Sequence, residues 1–286
     1  MFKHIWLGAA LWILTAAAHA GPLVLTGVPD QNAQRLQQRF AKVADYLQHE
    51  LNVAVDYMPV ESYAGAITAF RNNQVQLAWF GGLSGVRARR LVEGAQAIAW
   101  GLEDLEFQTY FIAHLSAGLR PSAEFPKGIR GKTFVFGSEG STSGRLIPEY
   151  HIHKAFGETP KKIFSYVDFS GNHSRTIALV QAGAFQVGAI NFKVWERELA
   201  EGRVDQSKVR VIWKTPPYSG YQWSVRGDVD DVYGPGFAAR LKHALLTMHE
   251  KDPELVEQFQ RTRFVAADNE DFDPIYADAK SIGLMN

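Results

Sequence analysis

The chain has 286 residues, with 30 Lys plus Arg set against 30 Asp plus Glu, and no cysteine. Balanced charge excludes the basic footprint of a nucleic-acid or acidic-membrane binder. The lack of cysteine excludes disulfides, thiolate catalysis and a cysteine-linked lipid anchor. At the start, Lys3 and His4 precede an uncharged apolar run over 5–18, and Ala18-His19-Ala20 is a small-x-small cleavage site. This pattern predicts a secretory signal peptide over 1–20, with Gly21 as the mature start and a periplasmic location. An uncleaved anchor is the rival reading, but the run ends at the cleavage site and is short for a membrane span.

The mature part alternates strand and helix. Residues 23–28 read as a strand; Asp30 or Asn32 can cap the helix after it, where Leu36, Phe40, Val43, Ala44, Leu47 and Leu51 recur at helical spacing. Strands are expected at 53–58, 76–80 and 95–100, with helices at 62–71 and 84–93. A long strand at 107–115 leads to a loop at 121–131 and a strand at 133–136. The Gly/Ser-rich stretch 137–144 then opens a helix to 156. Further strands fall at 164–167, 187–190 and 209–213, with helices at 173–182 and 194–201. After Thr215-Pro216-Pro217 come an extended 221–225 and helices at 236–250, 253–261 and 273–281. Alternation of this kind implies a mainly parallel sheet with helices on both faces. Chain crossings are expected near 111–114 and 216–222, giving lobe 1 as 21–112 plus 218–286 and lobe 2 as 113–217.

Ligands of open α/β sheets collect at the carboxyl ends of strands. The loop 137–144 stands there and carries Ser141, Thr142 and Ser143 at a helix start. First-turn N–H groups have no partner inside a helix, and the dipole favours negative charge. Three hydroxyls add donors without formal charge, so an anion cradle is one reading and a plain Gly/Ser turn the other. A nucleophile elbow needs Ser at the centre of G-x-S-x-G, and Thr142 stands there. A Walker A loop needs Gly where Pro126 stands, ahead of Gly131-Lys132-Thr133. No enzymatic activity is therefore expected. His173 can donate a ring N–H to an anion, or sit in solvent at its helix start. His151 and His153 are two apart and point away from each other on a helix, so no metal and no cofactor are expected. Asn191 can cap its own helix or hold a ligand. Tyr63, Trp79, Phe80, Tyr218 and Tyr221 flank strand ends or breaks; most aromatic residues are core, and Tyr63 has the best case, at a helix start behind Pro59.

Several segments carry a family resemblance: Gly27-Val28-Pro29-Asp30-Gln31, Val60-Glu61-Ser62-Tyr63, Leu77-Ala78-Trp79-Phe80-Gly81-Gly82, Gly137-Ser138 with Ser141-Thr142-Ser143-Gly144, Ser170-Gly171-Asn172-His173, Gly188-Ala189-Ile190-Asn191 with Val194-Trp195-Glu196, and Thr215-Pro216-Pro217-Tyr218. In order and placement they resemble the periplasmic phosphonate- and phosphite-binding proteins of ABC importers, and within them a group labelled selenate-binding. The resemblance implies a type II-like, two-lobed α/β binding protein, its lobes joined by two crossing strands and an anion held between them. It maps a hydroxyl cluster onto Ser141, Thr142 and Ser143, a histidine onto His173 and a pocket aromatic onto Tyr63. The turn Trp79, Phe80, Gly81 would add contacts from lobe 1, and Tyr218 from the second crossing. Phosphonate binders of this kind often carry Asp where this chain has Asn191. An amide can donate to a fully deprotonated anion, which leans the reading toward selenate, sulfate-like anions or phosphite. The implied role is capture of a small tetrahedral oxyanion by a monomer that serves an inner-membrane ABC permease. A sensory domain, a binder of a larger organic ligand and an enzyme with His173 as base are the rivals.

Overall fold

The computed structural model describes residues 21–286. The expected signal peptide lies outside the described residues. Among them, no helix is long and apolar enough to cross a membrane.

The first lobe opens with β1 (Leu23–Gly27), α1 (Ala33–Leu51), β2 (Val55–Tyr57), α2 (Tyr63–Arg71), β3 (Leu77–Phe80), α3 (Gly82–Arg90) and β4 (Gln96–Gly101). Asn32 caps α1 by accepting from the N–H groups of Gln34 and Arg35, and the periodic apolar face from Leu36 to Leu51 is the buried one. The second lobe holds β5 (Thr109–His114), β6 (Thr133–Phe136), α4 (Ile147–Phe156), α5 (Pro160–Ile163), β7 (Tyr166–Phe169), α6 (His173–Gln181), β8 (Val187–Asn191), α7 (Phe192–Ala200) and β9 (Val209–Lys214). The chain returns through β10 (Gln222–Val225), α8 (Val229–Tyr233), α9 (Phe237–Leu246), α10 (Met248–Lys251), α11 (Pro253–Glu257), β11 (Phe264–Ala266) and α12 (Asp273–Ser281). The sequence predicts no counterpart of α5, α8 or β11. All three are short, four, five and three residues, below the length at which periodicity speaks.

Each lobe has its own sheet, in the orders β11-β4-β10-β3-β1-β2 and β7-β6-β8-β5-β9. Both sheets are mixed, which corrects the mainly parallel expectation. The cause is the crossings. β10 comes back from lobe 2 and inserts antiparallel between β3 and β4. β5 inserts in the same way between β8 and β9. Of the pairs untouched by a crossing, β1 with β2 and β3 and β6 with β7 and β8 are parallel, while β11 at the sheet edge pairs antiparallel with β4.

The two crossings touch at an antiparallel bridge between Phe107 and Tyr218, whose N–H groups each donate to the other's carbonyl, at 3.0 and 2.9 Å. β5 belongs entirely to the second sheet, so the first crossing sits at Phe107 rather than over 111–114, and a boundary after 112 would cut a strand. In sequence, 107–115 is one extended apolar run, and nothing in it marks where the hydrogen-bonding partner changes. Beside the crossings, Asp104 and Arg261 form a fully buried bidentate pair at 2.6 and 2.7 Å. The same carboxylate accepts from the N–H groups of Tyr221 (2.9 Å) and Gly101 (3.1 Å), so it ties both crossings to the C-terminal segment.

The lobes are shut against each other. Leu146 and Ile147 of lobe 2 share an apolar cluster with Leu83 of α3 and Ile275 of α12. Arg35 of α1 makes a bidentate pair with Glu201 at 3.0 and 2.7 Å. Arg197 donates to Gln31 Oε1 at 2.8 Å.

Candidate anion site

Four helical starts meet where the lobes touch. Ser62 caps α2 through Gly65 N–H at 3.0 Å and leaves Tyr63 as its first residue. Gly81 precedes α3. Ser141 Oγ accepts from Gly144 N–H at 2.9 Å and starts a π-type turn, Thr142–Leu146, that feeds α4. Such turns recur at functional sites, because they displace first-turn groups from regular positions. Asn172 caps α6 through Arg175 N–H at 2.9 Å and leaves His173 first.

A narrow pocket lies among Tyr63 and Gly81 of lobe 1, Ser141, Thr142 and Ser143 of lobe 2, and Tyr218 of the second crossing. Thr142 Oγ1 accepts from Leu83 N–H at 2.8 Å, a bond between lobes that leaves the hydroxyl proton free to donate. Tyr218 Oη lies 2.7 Å from Thr109 Oγ1, which itself donates to the Ser143 carbonyl at 3.0 Å. His173 is buried beside this group. Its Nδ1 accepts from Asn191 N–H at 3.3 Å, so the ring proton sits on Nε2, which donates to Ser143 Oγ at 3.3 Å. Burial pushes the imidazole down to about 4, with Asp30 pulling weakly the other way. At neutral pH it is therefore an uncharged donor. Tyr63 Oη is buried without any hydrogen-bond partner: Tyr221 and Ser141 lie close by, but neither aligns to meet it.

The lining is thus rich in donors, holds no formal cation, and keeps one hydroxyl orphaned. Such a lining has the chemistry to hold an oxyanion. Among the described residues, no group of three His, Asp or Glu side chains could hold a metal. His151 packs its ring against Trp213, with centroids 5.0 Å apart, instead of turning to His153.

Comparison with known proteins agrees. A family model described as "ABC transporter, phosphonate, periplasmic substrate-binding protein" matches residues 25–272. The chain belongs to this family. It is 36% identical over 270 residues to the probable ABC transporter phosphite binding protein PhnD1 of Prochlorococcus marinus (strain MIT 9301), covering 92% of this chain and 91% of that one. The structure of that PhnD1 in complex with methylphosphonate superposes with a TM-score of 0.87 over 92% of this chain and 98% of the other. The phosphate-import protein PhnD of Mycolicibacterium smegmatis is 23% identical over 266 residues, 89% of this chain and 78% of that protein.

Within this phosphonate-binding family fold, the expected site residues divide. The structure brings together Tyr63, Gly81, Ser141, Thr142, Ser143, His173 and Tyr218. It does not bring Phe80, which is wholly buried and packs edge-on against Phe70 in the lobe 1 core. Trp79 stacks on Tyr221 at 5.6 Å and meets Trp223, Phe259 and Phe264, so it backs the site without lining the hydroxyl pocket. Asn191 takes its bland role. Its Oδ1 accepts from Lys193 and Val194 N–H to cap α7, and its Nδ2 donates to Tyr221 Oη at 3.3 Å. One of its two amide protons is engaged in this way, and the other is left to donate.

Two residues at the site, one noted only as a flanking aromatic and one only as a cap candidate, were not among the expected ligand contacts. Tyr221 lines the pocket, with the Asp30 carboxylate near its hydroxyl. Asp30 is buried, and its carbonyl accepts from His173 N–H at 2.9 Å, joining the lobes. The available signal was position: Asp30 follows β1 at its carboxyl end, where the same loop rule applies.

Two expected results follow from this packing. A Cβ on Gly140 would lie 2.8 Å from Tyr63 Cβ, on the opposite lobe. Gly140→Ala therefore obstructs closure and not the folding of either lobe. Ligand affinity falls by about tenfold or more, since a contact of this kind costs 1–3 kcal/mol, while urea unfolding changes little. The second concerns acid. His173 has a folded value near 4 against an ordinary 6.5, so its contribution is complete above 6.5 and is lost as pH falls toward 4. That gap corresponds to about 3 kcal/mol. His151, also pushed down to about 4 by burial, acts in the same window. Thermal unfolding across pH 7 to 4 should lose part of its slope in His173→Gln; an unchanged slope would assign the acid limb to His151 and the carboxylates.

Proposed function

We propose that this chain captures one small phosphonate- or phosphite-class monoanion between its lobes and delivers it to an inner-membrane ABC permease. The observation that carries the reading is the orphaned Tyr63 hydroxyl, buried at the Ser141, Thr142 and Ser143 cluster. An unmade buried hydrogen bond costs about 1–3 kcal/mol. A tetrahedral oxygen placed there recovers it. Size supports a compact ligand: the pocket between these side chains is narrow and leaves no room for a large organic molecule.

Charge refines the class. Asp30 is a buried carboxylate beside the donors. It favours an anion that keeps a proton, or turns an apolar P–H or P–CH₃ group away from the donors, over a fully deprotonated selenate or sulfate. Closure removes water from these contacts and strengthens each of them.

Calorimetric titration of residues 21–286 with phosphite, methylphosphonate, 2-aminoethylphosphonate, phosphate, sulfate and selenate tests this. Tight binding of phosphite or methylphosphonate, with sulfate and selenate rejected, is the expected outcome. Preference for selenate would overturn the role given to Asp30. Silence across the panel would sink the oxyanion reading and favour a larger organic ligand.

A further inference from the structure

Behind the hydroxyl pocket, on the far side of Asp30 and Tyr221, lies a second cavity that the proposed capture does not use. Arg39 of α1 and Arg261 face it from lobe 1, and Lys193 and Arg197 of α7 face it from lobe 2. Arg39 is 4% exposed and lies over the Phe259 ring, 4.9 Å from its centroid. Its Nε and Nη2 are buried with no hydrogen-bond partner at all. A guanidinium carries five donors in a fixed fork, and leaving them unmet in a buried place is rare.

The charges at this cavity do not balance. Arg261 is matched by Asp104 in its bidentate pair. Lys193 has Glu196 at 3.8 Å. Arg35 and Arg203 share Glu198 and Glu201. Arg197 donates only to neutral groups, Gln31 Oε1 at 2.8 Å and the Gln258 carbonyl at 3.0 Å. Against Arg39 and Arg197 together stands the single carboxylate of Asp30. Burial, with Arg197 adding repulsion, depresses Arg39 to about 9 despite the pull of Asp30. One negative charge is missing. The free volume, about 20 Å³, suits one compact ion.

We propose that this cavity is a second anion site, holding one monovalent halide-sized ion between Arg39 of lobe 1 and Arg197 of lobe 2. Such an ion contacts both lobes only when they are shut, so it stabilises the closed form and raises affinity for the transported ligand.

The test compares thermal unfolding of the mature chain, without phosphonate, in sodium chloride and in sodium gluconate at equal ionic strength. Chloride well above its Kd should raise Tm by about 3 °C. Arg39→Met should erase the chloride effect and Ser143→Ala should keep it. Equal Tm in the two salts overturns the site. An effect kept in Arg39→Met but lost in Ser143→Ala also overturns it, by placing the ion in the hydroxyl pocket. Bromide-soaked wild-type crystals give a readout that needs no variant: anomalous density between Arg39 and Arg197 supports the site, and bromide missing there refutes it. None of these readouts depends on which phosphonate the chain transports.

Discussion

Replacing Asp104 by alanine should lower the stability of the folded chain by about 3–5 kcal/mol, the usual cost of stranding one member of a buried ion pair. For a chain of this size that is a Tm fall on the order of 10 °C. Asp104 is wholly buried, and its carboxylate holds Arg261 through two bonds while accepting from Tyr221 and Gly101 N–H. Removing it leaves Arg261, itself 5% exposed, as an uncompensated charge. It also frees two backbone donors at the crossings. The control is a double variant, Asp104→Leu with Arg261→Met, which removes both charges. It should be more stable than Asp104→Ala, because the burial penalty of the lone guanidinium disappears with it. Urea unfolding measures all three proteins. A loss under about 1 kcal/mol for Asp104→Ala would show that water or a neighbour already serves Arg261.

Tyr63→Phe should move stability and binding in opposite directions. In the ligand-free chain the hydroxyl is a buried group with no partner, so its removal should leave stability unchanged or raise it by up to about 1–3 kcal/mol. In the complex that hydroxyl donates to an anion, a bond worth about 1.5–3 kcal/mol, so affinity should fall by roughly 10- to 100-fold. Thermal unfolding and calorimetric titration with methylphosphonate and phosphite read the two effects separately. A variant that loses stability while keeping affinity would assign Tyr63 to packing against Gly140 alone. Ser143→Ala makes a useful contrast. Its hydroxyl already accepts from His173 Nε2 at 3.3 Å, so it should lose both some stability and some affinity.

The parts of this protein set by local rules were readable in its sequence. Asn32, Ser62, Ser141 and Asn172 each cap a helical start through an i+2 or i+3 contact, and short-range spacing reveals such contacts. Those caps place Tyr63, Thr142 and His173 at first helical positions, which is why loop chemistry alone pointed to an anion cradle. The elements β6 and α12 match their expected bounds for the same reason.

What failed depends on partners far along the chain. The crossing at Phe107 is defined by its bridge to Tyr218, 111 positions away, and the apolar run around it carries no trace of that pairing. The mixed sheets follow from where β5 and β10 insert and from the edge strand β11, which strand patterns do not encode. Asn191 could cap or bind by composition; it caps α7 through Oδ1, and only the arrival of Tyr221 beside it gave one amide proton a partner. Phe80 and Trp79 are neighbours on one strand, and the packing of lobe 1 decided that neither reaches the hydroxyls. Asp30 and Arg39 look like an ordinary loop residue and a helix-surface residue in the sequence. In the folded chain both are buried, and burial turns an ordinary charge into one that must find a partner. The sequence by itself determined the alternating α/β class and the capped, donor-rich helix starts, because both arise from contacts a few residues apart. The tertiary structure alone decided which charges are buried and which are left unpaired, because that depends on surfaces meeting across the cleft.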